Sequence, residues 1–268
     1  MTIRRSYVDG HFGQIHLRTA ASLARGKPAL LCLHQSPKAG LEFEKMMLAS
    51  DGRLIVAPDY PGYGLSDPPP SESEATIETY AAEMWRVADA LGLEIVDLFG
   101  NHTGSKVAAR MAMKRPDRVR AIVMVSAALL TEAERKAFID YFTPIPLDRK
   151  GTRFWISWQR IVEHSDPALP LEDLARSFMQ NLLGGEGYEW GHAAAFADGT
   201  AFETALRTLP HPIAIINPAD QLQEITRRAA PMMKRGRIVE RPDWRHGFLD
   251  LHAKAVADLV FGFVDAPP

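Results

Sequence analysis

Residues Gly100-Asn101-His102-Thr103-Gly104 place an imidazole between two glycines, one two positions before it and one two positions after. Glycines at that spacing allow a turn so tight that a side chain is barely tolerated at the flanking positions. The central residue is then pushed outward in a strained conformation, beside N–H groups near a helix start that favour negative charge. An imidazole held there has three possible roles. It can attack an activated carbonyl, because histidine is among the covalent catalysts, and water would quickly clear the acyl-imidazole formed. It can serve as general base or proton shuttle, since the free ring titrates at about pH 6.5. Or it takes no part in chemistry, and the pocket binds a ligand without turning it over.

Which other side chains can join it depends on the elements that carry them. Apolar runs at Ala29–His34, Leu54–Ala57, Ile95–Phe99, Val119–Val125 and Ile213–Ile216 alternate with helical stretches. Those stretches include Ile77–Leu91, Ser105–Lys114, Ile225–Met233 and Ala253–Phe263. Short apolar runs between helices read as buried parallel strands, and the alternation predicts a doubly wound, mostly parallel α/β sheet. Residues 3–18 read as two strands turning at Asp9-Gly10, and Arg237–Arg241 as the last strand. In such sheets ligands bind beyond the carboxyl ends of the strands. The segments found there are His34-Gln35-Ser36-Pro37, Asp59–Gly64, residues 100–104, Asn217-Pro218-Ala219-Asp220 and Arg245-His246-Gly247. Residues 127–207 break the rhythm with helical patterns and many aromatics, Phe138, Tyr141, Phe142 and Phe196 among them. They predict a helical cap or lid inserted into a core made of residues 1–126 and 208–268. Most of those aromatics form the lid's own core, and some line the pocket beneath it.

In its strand–turn–helix setting the pentapeptide matches the Gly-x-Ser-x-Gly nucleophile elbow, with His102 in the serine's place. The chain resembles the α/β-hydrolase superfamily over almost its whole length. His34-Gln35-Ser36-Pro37 is similar to the family's His-Gly loop, which supplies an oxyanion-hole N–H. Asp59-Tyr60-Pro61-Gly62-Tyr63-Gly64-Leu65-Ser66-Asp67 is similar to its D-x-x-G-x-G-x-S-D segment, and Val96–Gly100 to the strand entering the elbow. The resemblance implies that Asp220 is the triad acid and His246 the triad histidine, in the family's chain order. There are two departures. Gln35 replaces the usual glycine after His34, and His102 replaces the nucleophilic serine, cysteine or aspartate.

The resemblance places His246 within reach of His102, with Asp220 orienting His246 through one ring nitrogen and stabilising its charge. Two close imidazoles resist joint protonation, so the pair could offer a neutral base and a charged acid. An intact Asp220–His246 pair favours catalysis over mere binding. Backbone N–H groups of Ser36 or Gln35, and of Thr103, would hold a developing oxyanion. The Thr103 side chain is expected to point away, and Ser105 is read as structural. The Ser36 hydroxyl is placed to touch ligand. Cofactor-free lyases on this fold grip substrate with a hydroxyl near that position.

The remaining candidates receive structural readings. His11 and His16 fall on the N-terminal hairpin surface, His34 fixes its loop, His164 and His192 lie in the lid, where either could face the pocket but the surface is favoured, and His252 belongs to the closing helix. His34, His102 and His246 share no element in the manner of metal ligands, so neither metal nor cofactor is expected. The elbow lacks the Gly-Lys-Ser/Thr ending of a phosphate loop. Cys32, the single cysteine, reads as a core residue and points to a reducing compartment. A formal net charge of −2 gives no reason to expect nucleic acid or an anionic membrane as partner. No apolar h-region follows Arg4-Arg5, and no run of about 18 apolar residues occurs, so a cytoplasmic protein is expected. The expectation is an α/β-fold hydrolase acting on a small, largely apolar carbonyl compound: an ester, a lactone or a C–C bond. The alternatives are a cofactor-free lyase, decarboxylase, isomerase or oxygenase, and a non-catalytic ligand-binding protein. Oligomeric state is not legible.

Overall fold

The structure, a computed structural model, describes residues 2–20, 26–50 and 53–265. β1 (Ile3–Asp9) and β2 (Gln14–Ala20) flank a turn in which Gly10 N–H donates to Gly13 O at 2.6 Å. β3 (Ala29–Leu33), β4 (Ile55–Pro58), β5 (Val96–Asn101), β6 (Val119–Val125), β7 (Ile213–Pro218) and β8 (Gly236–Arg241) complete one sheet. Its order is β1-β2-β4-β3-β5-β6-β7-β8. The pairs β1/β2 and β2/β4 are antiparallel, and every pair from β4 across to β8 is parallel. β3, β4, β5 and β7 are buried at every position, as strands covered on both faces must be.

Helices cover both faces. α1 (Glu44–Leu48), α2 (Ile77–Ala90) and α3 (Thr103–Lys114) precede β6. α4 (Glu132–Tyr141), α5 (Thr152–His164), α6 (Leu171–Leu183), α7 (Trp190–Ala197) and α8 (Ala201–Thr208) lie between β6 and β7. α9 (Gln223–Arg227), α10 (Phe248–Leu251) and α11 (Ala253–Val264) follow. Alternate strand residues feed two cores. Leu31, Leu98 and Ile122 pack with α2 and α3, whereas Leu30, Phe99 and Val123 pack with α1 and α11. Cys32 is wholly buried in the second core.

Two local readings need correction. Ile225–Met233 is not one helix: α9 stops at Arg227 and a 3-10 turn spans residues 230–232. Pro231 has no N–H to donate and disfavours helical geometry at Ala230. His16 is not at the surface but 1% exposed, because β2 runs between β1 and β4. Its Nδ1 lies 2.8 Å from Asp59 Oδ2. Among the described residues no helix is long and apolar enough to cross a membrane.

Candidate active site

β5 ends at the pentapeptide and α3 begins at its fourth residue, so the turn is only one residue deep. His102 sits at φ 47°, ψ −106°, a conformation that non-glycine residues rarely adopt. Local bonds hold it there. His102 N–H donates to Val125 O at 3.1 Å, and Ser105 N–H donates to His102 O at 2.9 Å. The Ser105 hydroxyl bridges Gly100 O and Val125 O at 3.0 and 2.9 Å, the structural duty expected of it. A Cβ on Gly100 would run into the Gly104 carbonyl, and one on Gly104 into the Leu33 carbonyl. The glycines are there because backbone occupies the space on both sides.

Asp220, at the end of β7, and His246, on the loop after β8, both reach His102, but their pairing differs from the one expected. Asp220 Oδ2 lies 3.4 Å from His102 Nε2, not on His246. The Ser126 hydroxyl donates to the same oxygen at 2.6 Å, and Leu222 N–H donates to Oδ1 at 2.7 Å. His246 Nε2 instead lies 2.9 Å from Gln221 Oε1. The two imidazoles stack with centroids 5.2 Å apart and planes 26° from parallel. The exchange has a steric cause. An imidazole reaches farther from the elbow than a hydroxyl does, and it takes the carboxylate that would otherwise serve the second histidine.

The charges follow from this geometry. Burial alone would raise the Asp220 carboxyl, but the His102 imidazole, helped by His246 and the Ser126 hydroxyl, brings it down to about 2. Burial, and then the neighbouring His102, lower His246 to about 3. Burial thus disfavours the charged form of His246. His102, Asp220 and His246 also converge as metal ligands would, their donor atoms lying within 4.8 Å of one another. Both Asp220 oxygens, however, already accept protein hydrogen bonds.

The oxyanion loop is narrower than expected. Gln35 N–H donates to Glu42 Oε1 at 2.9 Å and so turns away from the cavity. Gln35 Nε2 and Asn101 Nδ2 also donate to Glu42, at 3.0 and 3.3 Å, tying the loop to the elbow. Burial raises the Glu42 carboxyl to about 7 despite these donors. Ser36 N–H donates to Thr103 Oγ1 at 3.4 Å, so the Thr103 side chain stands on the cavity wall and does not point away. Thr103 N–H belongs to the first turn of α3, where no intrahelical acceptor exists. The Ser36 hydroxyl is buried beside the Tyr63 hydroxyl. His34 fixes the loop: its Nδ1 meets Gln35 O at 2.8 Å, and its Nε2 accepts from Tyr60 N–H at 2.9 Å.

A cavity of about 220 Å³ opens over these groups, roofed by side chains from α4 to α7. Phe138, Tyr141, Phe142, Tyr188 and Phe196 line it, whereas Phe154 and Trp155 are exposed. His164 and His192, expected at the surface, line it too. The His164 ring lies 6.3 Å from that of His246, and His192 lies over Phe142 at 4.0 Å.

Residues 28–245 match the family described as alpha/beta hydrolase fold. The chain belongs to that family. Epoxide hydrolase 2 of Siraitia grosvenorii is 35% identical over 124 residues, 46% of this α/β-hydrolase chain and 39% of that protein. A haloalkane dehalogenase of Psychrobacter cryohalolentis is 31% identical over 109 residues, 40% and 36% of the two chains. The matches thus span well under half of either relative. Among solved structures, epoxide hydrolase A of Mycobacterium thermoresistibile superposes with a TM-score of 0.80 at 19% identity, covering 99% of both chains. An esterase of Exiguobacterium antarcticum gives 0.80 at 17% identity, covering 98% of this chain and 100% of that one. At such identities the likeness is one of fold.

Three side chains that this α/β-hydrolase places at the site escaped the sequence reading. Ser126 directly follows β6, at the carboxyl edge where ligand-facing residues collect, and its φ of 52° marks a second strained position. Strand-end position was its signal. Gln221 neighbours Asp220 and carried no signal of its own. Glu42 gave none, because a glutamate in a short turn reads as solvated until the fold buries it.

Proposed function

We propose that this α/β-hydrolase hydrolyses a small carbonyl compound, with His102 as general base toward water. The observation that carries the reading is the 3.4 Å approach of Asp220 Oδ2 to His102 Nε2. A carboxylate beside Nε2 favours the proton on that nitrogen and stabilises the imidazolium by its charge, as an acid does for a triad histidine. Nδ1 is left to take a proton. In the proposed step a water loses its proton to Nδ1 while its oxygen bonds to the substrate carbonyl carbon. The carbonyl oxygen becomes an oxyanion held by Thr103 N–H and by Ser36 N–H, which would exchange its long bond to Thr103 Oγ1 for the oxyanion. Collapse expels the leaving group, which takes the proton back from His102. Neutral His246, stacked on the ring, disfavours no charge on its neighbour. The helices between β6 and β7 act as the lid that closes the water-excluding space.

The test measures wild type, His102→Ala and Asp220→Asn against aryl esters, lactones, β-diketones and epoxides, with intact-mass spectrometry during turnover. Both variants should lose activity, and no acyl adduct should accumulate. Full activity in His102→Ala on any substrate found would sink the reading. A trapped acyl group on His102 would make it a nucleophile instead.

One observation favours a second reading, a cofactor-free lyase using the same base. The Ser36 side chain lines the cavity with its Oγ turned in against Tyr63, and a rotation about its Cα–Cβ bond would bring that hydroxyl to a substrate oxygen. Turnover without incorporation of oxygen from labelled water would select the lyase.

A further inference from the structure

The charged groups around the cavity do not balance. Three carboxylates line it or point into it, and each has a partner. Asp220 serves His102, Glu189 contacts His192 Nδ1, and Asp250 Oδ1 lies 3.4 Å from Arg176 Nη1. Among the cations on the wall, Lys38 is saturated. Its three protons meet Ser177 O, Ser177 Oγ and Asn181 Oδ1 at 2.8, 2.7 and 2.6 Å. Arg160 donates to Tyr141 O at 3.0 Å and lies over that ring at 4.2 Å, on the helical segment away from the elbow.

Lys106 is different. It lines the same cavity, yet among the described residues its ammonium has neither an ion-pair partner nor a hydrogen-bond acceptor. The ammonium lies over the face of Phe202, 4.9 Å from the ring centroid. The nearest carboxylate to act on it, Asp198, gives Oδ1 to Arg110 Nη2 at 2.8 Å and makes no ion pair with Lys106. Its Nζ is not sealed from solvent, so a ligand entering the cavity can reach it and would have to supply the acceptor that replaces water. Lys106 is also well placed. It stands four residues after His102 on α3, one helical turn from the elbow ring and about 6 Å along the axis.

We propose that the substrate carries a carboxylate and that Lys106 seats it, one helical turn from the bond on which His102 acts. The proposal rests on the general-base reading for the second clause only, since the seat itself needs no chemistry. A carboxylate would give the ammonium the acceptor it lacks, and the aromatic roof would cover the apolar remainder of the molecule. Charge-assisted bonds of this kind are about twice as strong as neutral ones, and they reject an isostere that cannot accept them. Burial already lowers Lys106 to about 8. Affinity for a carboxylate should therefore fall as pH rises through and beyond that value, because the ammonium is lost while the carboxylate stays ionised.

The experiment is calorimetric and needs no turnover. Phenylacetate, 4-phenylbutyrate and octanoate are each titrated against the corresponding amide, on wild type and on Lys106→Met, Lys106→Arg, Arg160→Met and His102→Ala. Wild type should prefer the acid to its amide by about tenfold or more. Lys106→Met, which keeps the apolar stem on Phe202, should abolish the preference, whereas Lys106→Arg, Arg160→Met and His102→Ala should keep it. Equal affinity of acid and amide in wild type, no binding of any of the three acids, or a preference that survives Lys106→Met overturns the proposal. Because His102→Ala is scored by binding, a wrong assignment of the base leaves this result standing, and a wrong seat leaves the base untouched.

Discussion

At the scale of single residues the site turns on which imidazole the carboxylate serves. With Asp220 beside His102, an amide at position 220 keeps the shape but removes the charge that stabilises an imidazolium. Asp220→Asn should lower kcat by roughly 10²–10⁴-fold with little change in KM. Steady-state kinetics on the substrate identified above checks this, and a variant within twofold of wild type would mean that Asp220 only holds Ser126 and Leu222. His246 belongs to a different class. Burial lowers it to about 3 and it pairs with Gln221, so in the proposed mechanism it walls and desolvates the ring it stacks on. The same trio could be mistaken for a metal site, since its donors converge. Because Asp220 already accepts from Ser126 and Leu222, activity should survive dialysis against a chelator, and added zinc should not raise Tm. Loss of activity on chelation, restored by a divalent ion, would reverse the assignment.

At the scale of elements the elbow is a strained device held by its neighbours. The φ 47°, ψ −106° conformation at His102 suits glycine alone, and holding another residue there costs about 1–3 kcal/mol. His102→Gly should therefore be more stable than His102→Ala by a similar amount while both are inactive, and chemical denaturation of the two variants measures the difference. Equal stability would mean that the turn relaxes once the imidazole is gone. The elements themselves were largely legible from pattern. The apolar runs marked the parallel strands to within two residues at either end, and the glycine spacing of 100–104 located the turn. Legibility ended where contacts far apart in sequence decide. Nothing in Ile225–Met233 except Pro231 marked its break, and the burial of His16 depended on which strand paired beyond β2. The carboxylate's choice between two rings depended on reach, which a one-letter sequence does not carry. His164 and His192 show the same limit: a helix pattern tells which residues share a face, not whether that face meets water or a cavity.

At the scale of the whole molecule, several buried titratable groups link stability to pH in opposite senses. Burial lowers His34 from 6.5 to about 4, outweighing the help of the Gln35 carbonyl and Asp59, and lowers His246 to about 3. Both stay unprotonated in the fold while the unfolded chain takes up protons near 6.5, so their contribution is full above that pH and is lost as pH falls below it. Glu42 runs the other way. Its carboxyl is raised from 4.5 to about 7, so the fold holds a proton that the unfolded chain has released, and stability falls as pH rises from 4.5 to 7. Between about pH 4.5 and 6.5 the unfolded state binds up to two more protons through the histidines and one fewer through Glu42. The net slope from these groups is about 1.4 kcal/mol per pH unit, rising with pH. Glu42→Gln removes the opposing group but keeps an oxygen for Gln35 N–H and Asn101. Its slope over the same range should approach twice the wild-type value, and above pH 7 it should be the more stable protein. Urea denaturation at pH 5, 6, 7 and 8 reads both effects together. Parallel curves for the two proteins would mean that Glu42 is ionised throughout, and that the oxyanion loop and the elbow are joined by a carboxylate rather than by a shared proton.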